Sequence, residues 1–315
     1  MKIIITGGAG FIGSHLCKEL LKQKNQVICI DNLITGNLKN INGLRKNKNF
    51  TFIKYNICKK FSSKLKKKIG KIDWIMDLAC PASPIDFPKY PFEIMDVCYI
   101  GTKNLLELAK ENNAKFLQTS TSEVYGDPKE HPQKEVYWGN ANCYGPRSCY
   151  DEGKRVAEAL IYNYKQKYKL DTKIIRIFNT YGPNMRPDDG RVVSNFIVQA
   201  IKNEPITVYG NGKQTRSFCY ISDMIEGIIK MIKSKEEGPI NIGNPKEFKI
   251  IDLAKIVKKM TKSNSQIIYK NLPQDDPKLR CPNISLAKNK LKWSPKVNLE
   301  EGINKSLNYF RKAVK

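Results

Sequence analysis

The segment Gly7-Gly-Ala-Gly-Phe-Ile-Gly13 narrows what this chain can fold into more than any other stretch. It follows an apolar run of strand length, Lys2 to Thr6, and precedes Ser14 to Lys22, whose apolar residues recur with a helical period; Gln26 to Ile30 is a second strand-like run. Together these make a βαβ opening. In such a turn Gly7 permits the tight reversal, Gly10 lets backbone approach a pyrophosphate at the helix N-terminus, and Gly13 allows the helix to press on the sheet. The G-x-x-G-x-x-G spacing in that setting points to a bound dinucleotide. Asp31 closes the second strand, where a carboxylate accepts from ribose hydroxyls and would repel a 2′-phosphate, so NAD is expected rather than NADP.

Further strand-like runs at Phe50 to Tyr55, Trp74 to Leu78, Phe116 to Thr119 and Lys173 to Phe178 alternate with helical stretches, notably Phe92 to Glu111 and the stretch holding Tyr150 through Ile161. That alternation predicts an α/β fold with a doubly wound parallel Rossmann-type sheet, whose ligands gather at the carboxyl ends of the strands. Residues 1–179 are expected to form the dinucleotide-binding domain, with 215–235 returning to it, and residues 180–315 a smaller C-terminal α/β lobe that binds substrate. Asn179 to Asn184 is expected as the turn into that lobe, followed by a helix from Arg191 to Ala200, a hairpin-like stretch from Ile206 to Gly212, a helix from Ser217 to Met231 and a lysine-rich mixed region.

Composition removes several classes. The 315 residues, 41% of them hydrophobic, suffice for two lobes with a large core. No apolar run approaches the roughly 20 residues that span a bilayer, and the N-terminus enters a strand rather than a signal peptide, so a cytoplasmic location without membrane attachment is expected. Nine cysteines without C-x-x-C pairs and two histidines, His15 and His131, imply neither a disulfide framework nor a metal site, and point to a reducing compartment. The net charge of +25 comes mostly from lysine spread over 39–71 and 255–296, with no nucleic-acid-binding motif beside it. Nucleic acid is therefore not expected as a partner. A positive field would instead draw in a polyanionic substrate such as a nucleotide sugar.

On a helix Tyr150 and Lys154 lie one turn apart on one face, so an ammonium can approach a phenol and lower its pKa from about 10 toward neutrality, making a general base. With the glycine turn, this pair resembles the extended short-chain dehydrogenase/reductases, whose general base is such a tyrosine. Within them, Leu78-Ala-Cys-Pro-Ala-Ser-Pro84, Thr119-Ser-Thr-Ser-Glu-Val-Tyr-Gly-Asp127, Glu130-His-Pro-Gln-Lys-Glu135, Tyr137-Trp-Gly-Asn140, Arg147-Ser-Cys-Tyr-Asp-Glu-Gly-Lys-Arg155, Arg176-Ile-Phe-Asn-Thr-Tyr-Gly-Pro183, Asp188-Asp-Gly-Arg-Val-Val-Ser-Asn-Phe196 and Lys213-Gln-Thr-Arg-Ser-Phe218 look like the UDP-glucuronate decarboxylase family. The resemblance covers nearly the whole chain.

It implies a reaction in which UDP-glucuronate becomes UDP-xylose and carbon dioxide: oxidation at C4 makes a β-keto acid, the C5 carboxylate leaves, and re-reduction at C4 completes the cycle, with NAD as an internal tool. Tyr150 would be the base, Lys154 would hold its phenolate and the nicotinamide ribose, and Thr121 would hydrogen-bond O4 or Tyr150. Related dehydratases carry an Asp-Glu pair after the equivalent threonine, whose Asp protonates a leaving hydroxyl; here Ser122 stands there, with Glu123 after it. Glu123 would either promote loss of carbon dioxide by repulsion or, through a water, deliver the C5 proton. The resemblance sets the cofactor against Gly7, Gly10, Phe11, Ile12, Gly13, Asp31, Asn32, Thr35, Gly36, Asn56, Ile57, Leu78, Ala79, Tyr150, Lys154, Thr180 and Arg191. It sets the substrate against Pro81, Ser83, Tyr150, Asn179, Val193, Asn195, Phe196, Tyr209, Gln214, Arg216 and Arg280. Arg191 and Arg216 are candidates for the diphosphate, and Arg280, ending Asp275-Asp-Pro-Lys-Leu-Arg280, for the substrate carboxylate and diphosphate.

Family members are commonly homodimers, which would place Phe92 to Glu111 and Asp151 to Lys165 in a four-helix interface. Four positions depart from the family pattern: Asp77 in place of a His, Cys98 in place of an Asn, Asn56 in place of the Asp that touches adenine, and Cys143-Tyr144 in place of a Pro and an aliphatic residue. Two alternatives stay open: another NAD-dependent nucleotide-sugar epimerase or dehydratase, and, more distantly, a non-catalytic NAD-sensing scaffold that binds nucleic acid.

Overall fold

The computed structural model describes residues 1–272 and 279–314. The chain opens with β1 (Lys2–Thr6), α1 (Phe11–Lys22), β2 (Gln26–Asp31), β3 (Phe50–Lys54), α2 (Ser63–Ile69), β4 (Trp74–Asp77), α3 (Pro91–Asp96), α4 (Thr102–Asn112), β5 (Lys115–Thr121), α5 (Ser148–Tyr168) and β6 (Thr172–Ile177). It continues with β7 (Thr180–Tyr181), α6 (Val192–Ile201), β8 (Ile206–Tyr209), β9 (Thr215–Ser217), β10 (Cys219–Tyr220), α7 (Ile221–Lys233), β11 (Ile240–Ile242), β12 (Glu247–Lys249), α8 (Ile250–Thr261), β13 (Ile267–Lys270), β14 (Leu279–Arg280), α9 (Ser285–Leu291) and α10 (Leu299–Ala313).

Seven strands pair in parallel in the order β11-β6-β5-β4-β1-β2-β3. Their apolar runs are unbroken because helices cover both faces. Alternation along β1 shows how: Ile3 and Ile5 join Leu16 and Leu20 of α1 in one core, while Ile4 faces Leu105, Leu106 and Ala109 of α4 in the other. Each such side chain contributes about 1.5–3 kcal/mol by leaving water. The sheet winds outward in two directions from β1 and β4, and the crevice at their carboxyl ends is where a doubly wound sheet receives ligands. After β7 to β10, α7 packs on α1 and β6, and β11 adds to the sheet beside β6.

Three local expectations change. The helix expected from Phe92 to Glu111 runs from Pro91 to Asn112 with a π turn at Val97–Gly101 in its middle. The stretch from Ile206 to Gly212 is no hairpin: β8 pairs in parallel with β13, Ile206 opposite Ile267. Strand residues followed by positive-φ glycines at 210 and 212 specify a strand and a turn but not the partner, which arrives only after α8. The helix expected from Ser217 begins at Ile221, because Thr215–Ser217 and Cys219–Tyr220 are strands, the latter paired with β7 inside the expected turn at 179–184. Among the described residues no helix is long and apolar enough to cross a membrane.

Candidate active site

The glycine turn is built as a cradle. Gly7 has φ +66°, and a Cβ there would lie 2.6 Å from the Leu78 carbonyl; one at Gly13 would lie 2.2 Å from the carbonyl of Gly7. α1 then starts at Phe11 with Gly10 at its N-cap and no side chain closing the end, leaving first-turn N–H groups for an anion. Asp31 sits at the end of β2, accepting from the N–H of Ala9 at 3.0 Å and of Leu33 at 2.8 Å. Burial raises its pKa, and those two donors oppose the rise. An uncapped helix N-terminus behind a glycine cradle, with a carboxylate at the end of the next strand lining the same cavity, fits a dinucleotide.

From this cradle a cavity of ≈ 470 Å³ runs past Leu78 and Ala79 to Tyr150, Arg216 and Arg280. All the residues assigned to cofactor, substrate and chemistry from the sequence line it. The segment 275–278 before Leu279 lies outside the described residues.

At its centre, α5 presents Tyr150 and Lys154, both buried, against the end of β5. Lys154 donates to the Thr119 carbonyl at 3.1 Å, and its Nζ lies 5.9 Å from the Tyr150 ring centre. Thr121, the last residue of β5, is buried on the same cavity wall. The expected lowering of the Tyr150 pKa is reversed in net effect: burial pushes the phenol up, and Lys154 and Thr121 pull it only part of the way back. Burial also works against the charge of Lys154, but Cys80, Tyr150, Cys98 and Asp77 together hold its pKa above the ordinary value.

Glu123, in the turn after β5, is gripped by two guanidinium groups. Arg147 donates at 2.5 Å and Arg280 at 3.2 Å, both to Oε2. Burial alone would raise this carboxyl, yet Arg280 and Arg147 hold it at about 2, so it stands as an anion. Arg280 is itself fully buried, donating also to the carbonyls of Ser122 and Gly126. Ser122 is buried, its Oγ 3.5 Å from Glu123 Oε1. Asp151, beside the tyrosine, is pushed to about 7 by burial and by Glu123, and its Oδ1 has no hydrogen-bond partner. A carboxyl whose folded pKa exceeds its unfolded value of about 3.9 costs stability as pH rises between the two values. Asp151→Asn should therefore raise the melting temperature at pH 8, with the gain shrinking toward pH 4. A gain that is the same at both ends in thermal unfolding would contradict this.

The opposite wall comes from residues 186–216. Arg191 forms a two-pronged pair with Asp189 at 2.5 and 3.0 Å, and the Asp189 carbonyl accepts from Ser83. Arg186 grips both oxygens of Asp86 at 3.0 Å, tying the 186–191 loop to the 84–87 turn across the cleft. Arg216 on β9 donates to the Thr215 carbonyl at 2.8 Å, and Gln214 to the Tyr209 carbonyl at 2.6 Å. Sequence reasoning gave no role to Arg147, to the Asp86–Arg186 pair or to Phe87, whose ring stacks on Tyr150 with centres 5.0 Å apart. Arg147 and Glu123 are 24 positions apart, and Phe87 lies in an irregular proline-flanked turn, so neither carries a periodic signal.

The departures fall in different layers. Asp77 does not line the cavity; it is buried beneath it, accepting from Thr6 at 2.6 Å, from the Ala79 N–H at 3.1 Å and from Thr102 at 3.3 Å. Burial raises its pKa, with Lys154 opposing. Cys98 lies in the π turn with its sulfur 3.8 Å from that of Cys80. Asn56 lines the cavity and accepts from the Cys58 N–H at 2.9 Å, while Cys143 and Tyr144 are exposed.

The sequence model of the GDP-mannose 4,6 dehydratase family matches residues 4–306. Among curated proteins the chain is 48% identical to UDP-glucuronic acid decarboxylase 1 of Arabidopsis thaliana over all of its own length and 71% of that protein's. It is 45% identical to UDP-glucuronic acid decarboxylase 1 of Xenopus tropicalis, over 99% of this chain and 72% of that one. Among solved structures it superposes on the UDP-glucose 4-epimerase of Thermotoga maritima with UDP-glucose (TM-score 0.92, 28% identity, all of both chains). It also superposes on the UDP-glucuronic acid 4-epimerase of Bacillus cereus in complex with UDP-glucuronic acid and NAD (TM-score 0.89, 32% identity, 99% of both chains). With a glycine cradle, a buried Tyr-Lys-Thr cluster and this degree of likeness along its whole length, the chain belongs to the UDP-glucuronic acid decarboxylase family of extended short-chain dehydrogenase/reductases.

Proposed function

We propose that the protein decarboxylates UDP-glucuronate to UDP-xylose and carbon dioxide, with NAD held as a recycled cofactor. The observation that carries this reading is the placement of the Tyr150–Lys154–Thr121 cluster on the wall of the cavity that begins at the glycine cradle, with ionised Glu123 beside it. The glycine cradle at Gly7 to Gly13 and Asp31 would hold NAD, which would supply reversible hydride transfer at C4 of the sugar and a ring cation that favours the phenolate. Tyr150 takes the O4 proton during oxidation and gives it back during reduction, while Lys154 and Thr121 steady the charge on its oxygen. The resulting C4 ketone lets the electrons of the breaking C5–carboxylate bond pass onto O4.

Glu123 at about 2 is a poor proton donor, and two guanidinium groups offset its charge, so simple repulsion of the substrate carboxylate is weak here. Its stronger role is to position Arg147 and Arg280 where a uronic acid carboxylate would lie. Ser122 offers no carboxylic acid to protonate a leaving hydroxyl, which counts against a dehydratase. Purified protein given UDP-glucuronate labelled at C6 should release labelled carbon dioxide and leave UDP-xylose, read by mass spectrometry. Turnover of UDP-glucose or UDP-galactose in its place would overturn the reading in favour of an epimerase. Salt-sensitive duplex DNA binding without turnover would favour the scaffold.

The protein is further proposed to act as a homodimer in the cytoplasm. Phe92, Met95 and Tyr99 are 76, 52 and 46% exposed along one helical face, and Tyr162 of the adjacent α5 is 62% exposed, an apolar surface of the kind that two copies bury together. Nine cysteines without C-x-x-C spacing suit a reducing compartment. Phe92→Glu combined with Tyr99→Glu should convert a dimer to a monomer in sedimentation velocity; an unchanged dimer would remove this face from consideration.

A further inference from the structure

Away from the cavity, three side chains from widely separated parts of the chain converge: His131 from the segment before α5, Glu247 from the start of β12 and Cys281 just after β14. Their nitrogen, oxygen and sulfur ligand atoms all lie within 4.8 Å of one another, and His131 Nε2 is 2.9 Å from Glu247 Oε2. We propose that this trio is a binding site for a zinc-class divalent transition ion. A point equidistant from three atoms so spaced lies about 2.5 Å from each, so displacements of a few tenths of an ångström reach the roughly 2.0–2.3 Å of zinc bonds. A thiolate with an imidazole and a carboxylate suits zinc and its neighbours and excludes magnesium and calcium, which take oxygen ligands.

The frame holding the trio is rigid. Gln133 is fully buried, exchanges backbone hydrogen bonds with Cys281 and Asn283, and accepts from the Cys281 N–H with its side chain at 2.9 Å. This fixes His131 and Cys281 relative to each other. Glu247 is oriented from behind: its Oε1 accepts from Thr215 at 2.6 Å, leaving Oε2 toward His131. Binding displaces the Cys281 thiol proton to solvent, uses the neutral imidazole and leaves one coordination position for water. Cys281 adjoins Arg280, and Glu247 pairs with Ser217 next to Arg216 on β9, so the ion would pin the strands that carry both arginines to the segment before the catalytic helix.

The test is cobalt(II) added to chelator-treated full-length protein, followed by zinc competition. The expected result is one equivalent per chain with thiolate-to-cobalt charge-transfer absorption that zinc abolishes. Cys281→Ser, a near-isosteric change that preserves folding, should remove the absorption, and His131→Ala should weaken zinc binding by at least about tenfold. Absence of the band, or a band of equal strength in Cys281→Ser arising from another of the cysteines, would overturn the proposal.

Discussion

Tyr150→Phe is expected to lower kcat by roughly a thousandfold while leaving UDP affinity within about twofold of the parent. The ring remains, still stacked on Phe87 with centres 5.0 Å apart and filling the same buried space, so the fold has no reason to change. What disappears is the phenol oxygen proposed to exchange a proton with O4. Because that exchange accompanies both the oxidation and the reduction, the loss falls on kcat rather than on binding. Steady-state turnover with calorimetric UDP binding checks it. Near-normal turnover in the variant would remove Tyr150 from the base role.

The second large effect is expected at Glu123→Gln. Neutralising the carboxylate leaves Arg147 and Arg280 close together with no anion between them, a change that costs about 3–5 kcal/mol when one partner of a buried pair is removed. Turnover should fall by roughly 10²-fold, and decarboxylation should slow more than cofactor reduction, so that a 4-keto sugar and reduced nicotinamide accumulate in single-turnover experiments. An unchanged rate without that accumulation would refute the positioning role. The stability difference should also depend on acidity. Glu123 titrates at about 2 in the fold, below the unfolded carboxylate near 4.3, so its contribution is complete above the latter value and is lost as pH falls through the former. Melting curves of parent and variant should therefore converge in acid.

The features legible in the sequence are those whose cause is local. Gly7 and Gly13 reveal the cradle because no other residue fits, and Tyr150 with Lys154 reveals the base because one helical turn sets their separation. The parallel sheet follows from apolar runs too continuous for a sheet with one wet face. Partners joined through space stay hidden. β8 carries every mark of a strand and none of β13, and Arg147 carries no mark of Glu123. Even for Tyr150, Lys154 was visible but the extent of burial was not, and burial decides the direction of the shift. Likewise His131, Glu247 and Cys281 lack metal-motif spacing, because three different segments deliver them.

The position of β11 has a consequence for how the protein comes to be made. The strand covering the flank of β6 is supplied by residues 240–242, after the chain has left the large sheet and built β7 to β10. During synthesis the nascent sheet of β1 to β6 must wait with the backbone edge of β6 bare until those residues leave the ribosome. A fragment ending at residue 179 would keep that edge permanently open and should self-associate, whereas one extended through β11 should stay dispersed.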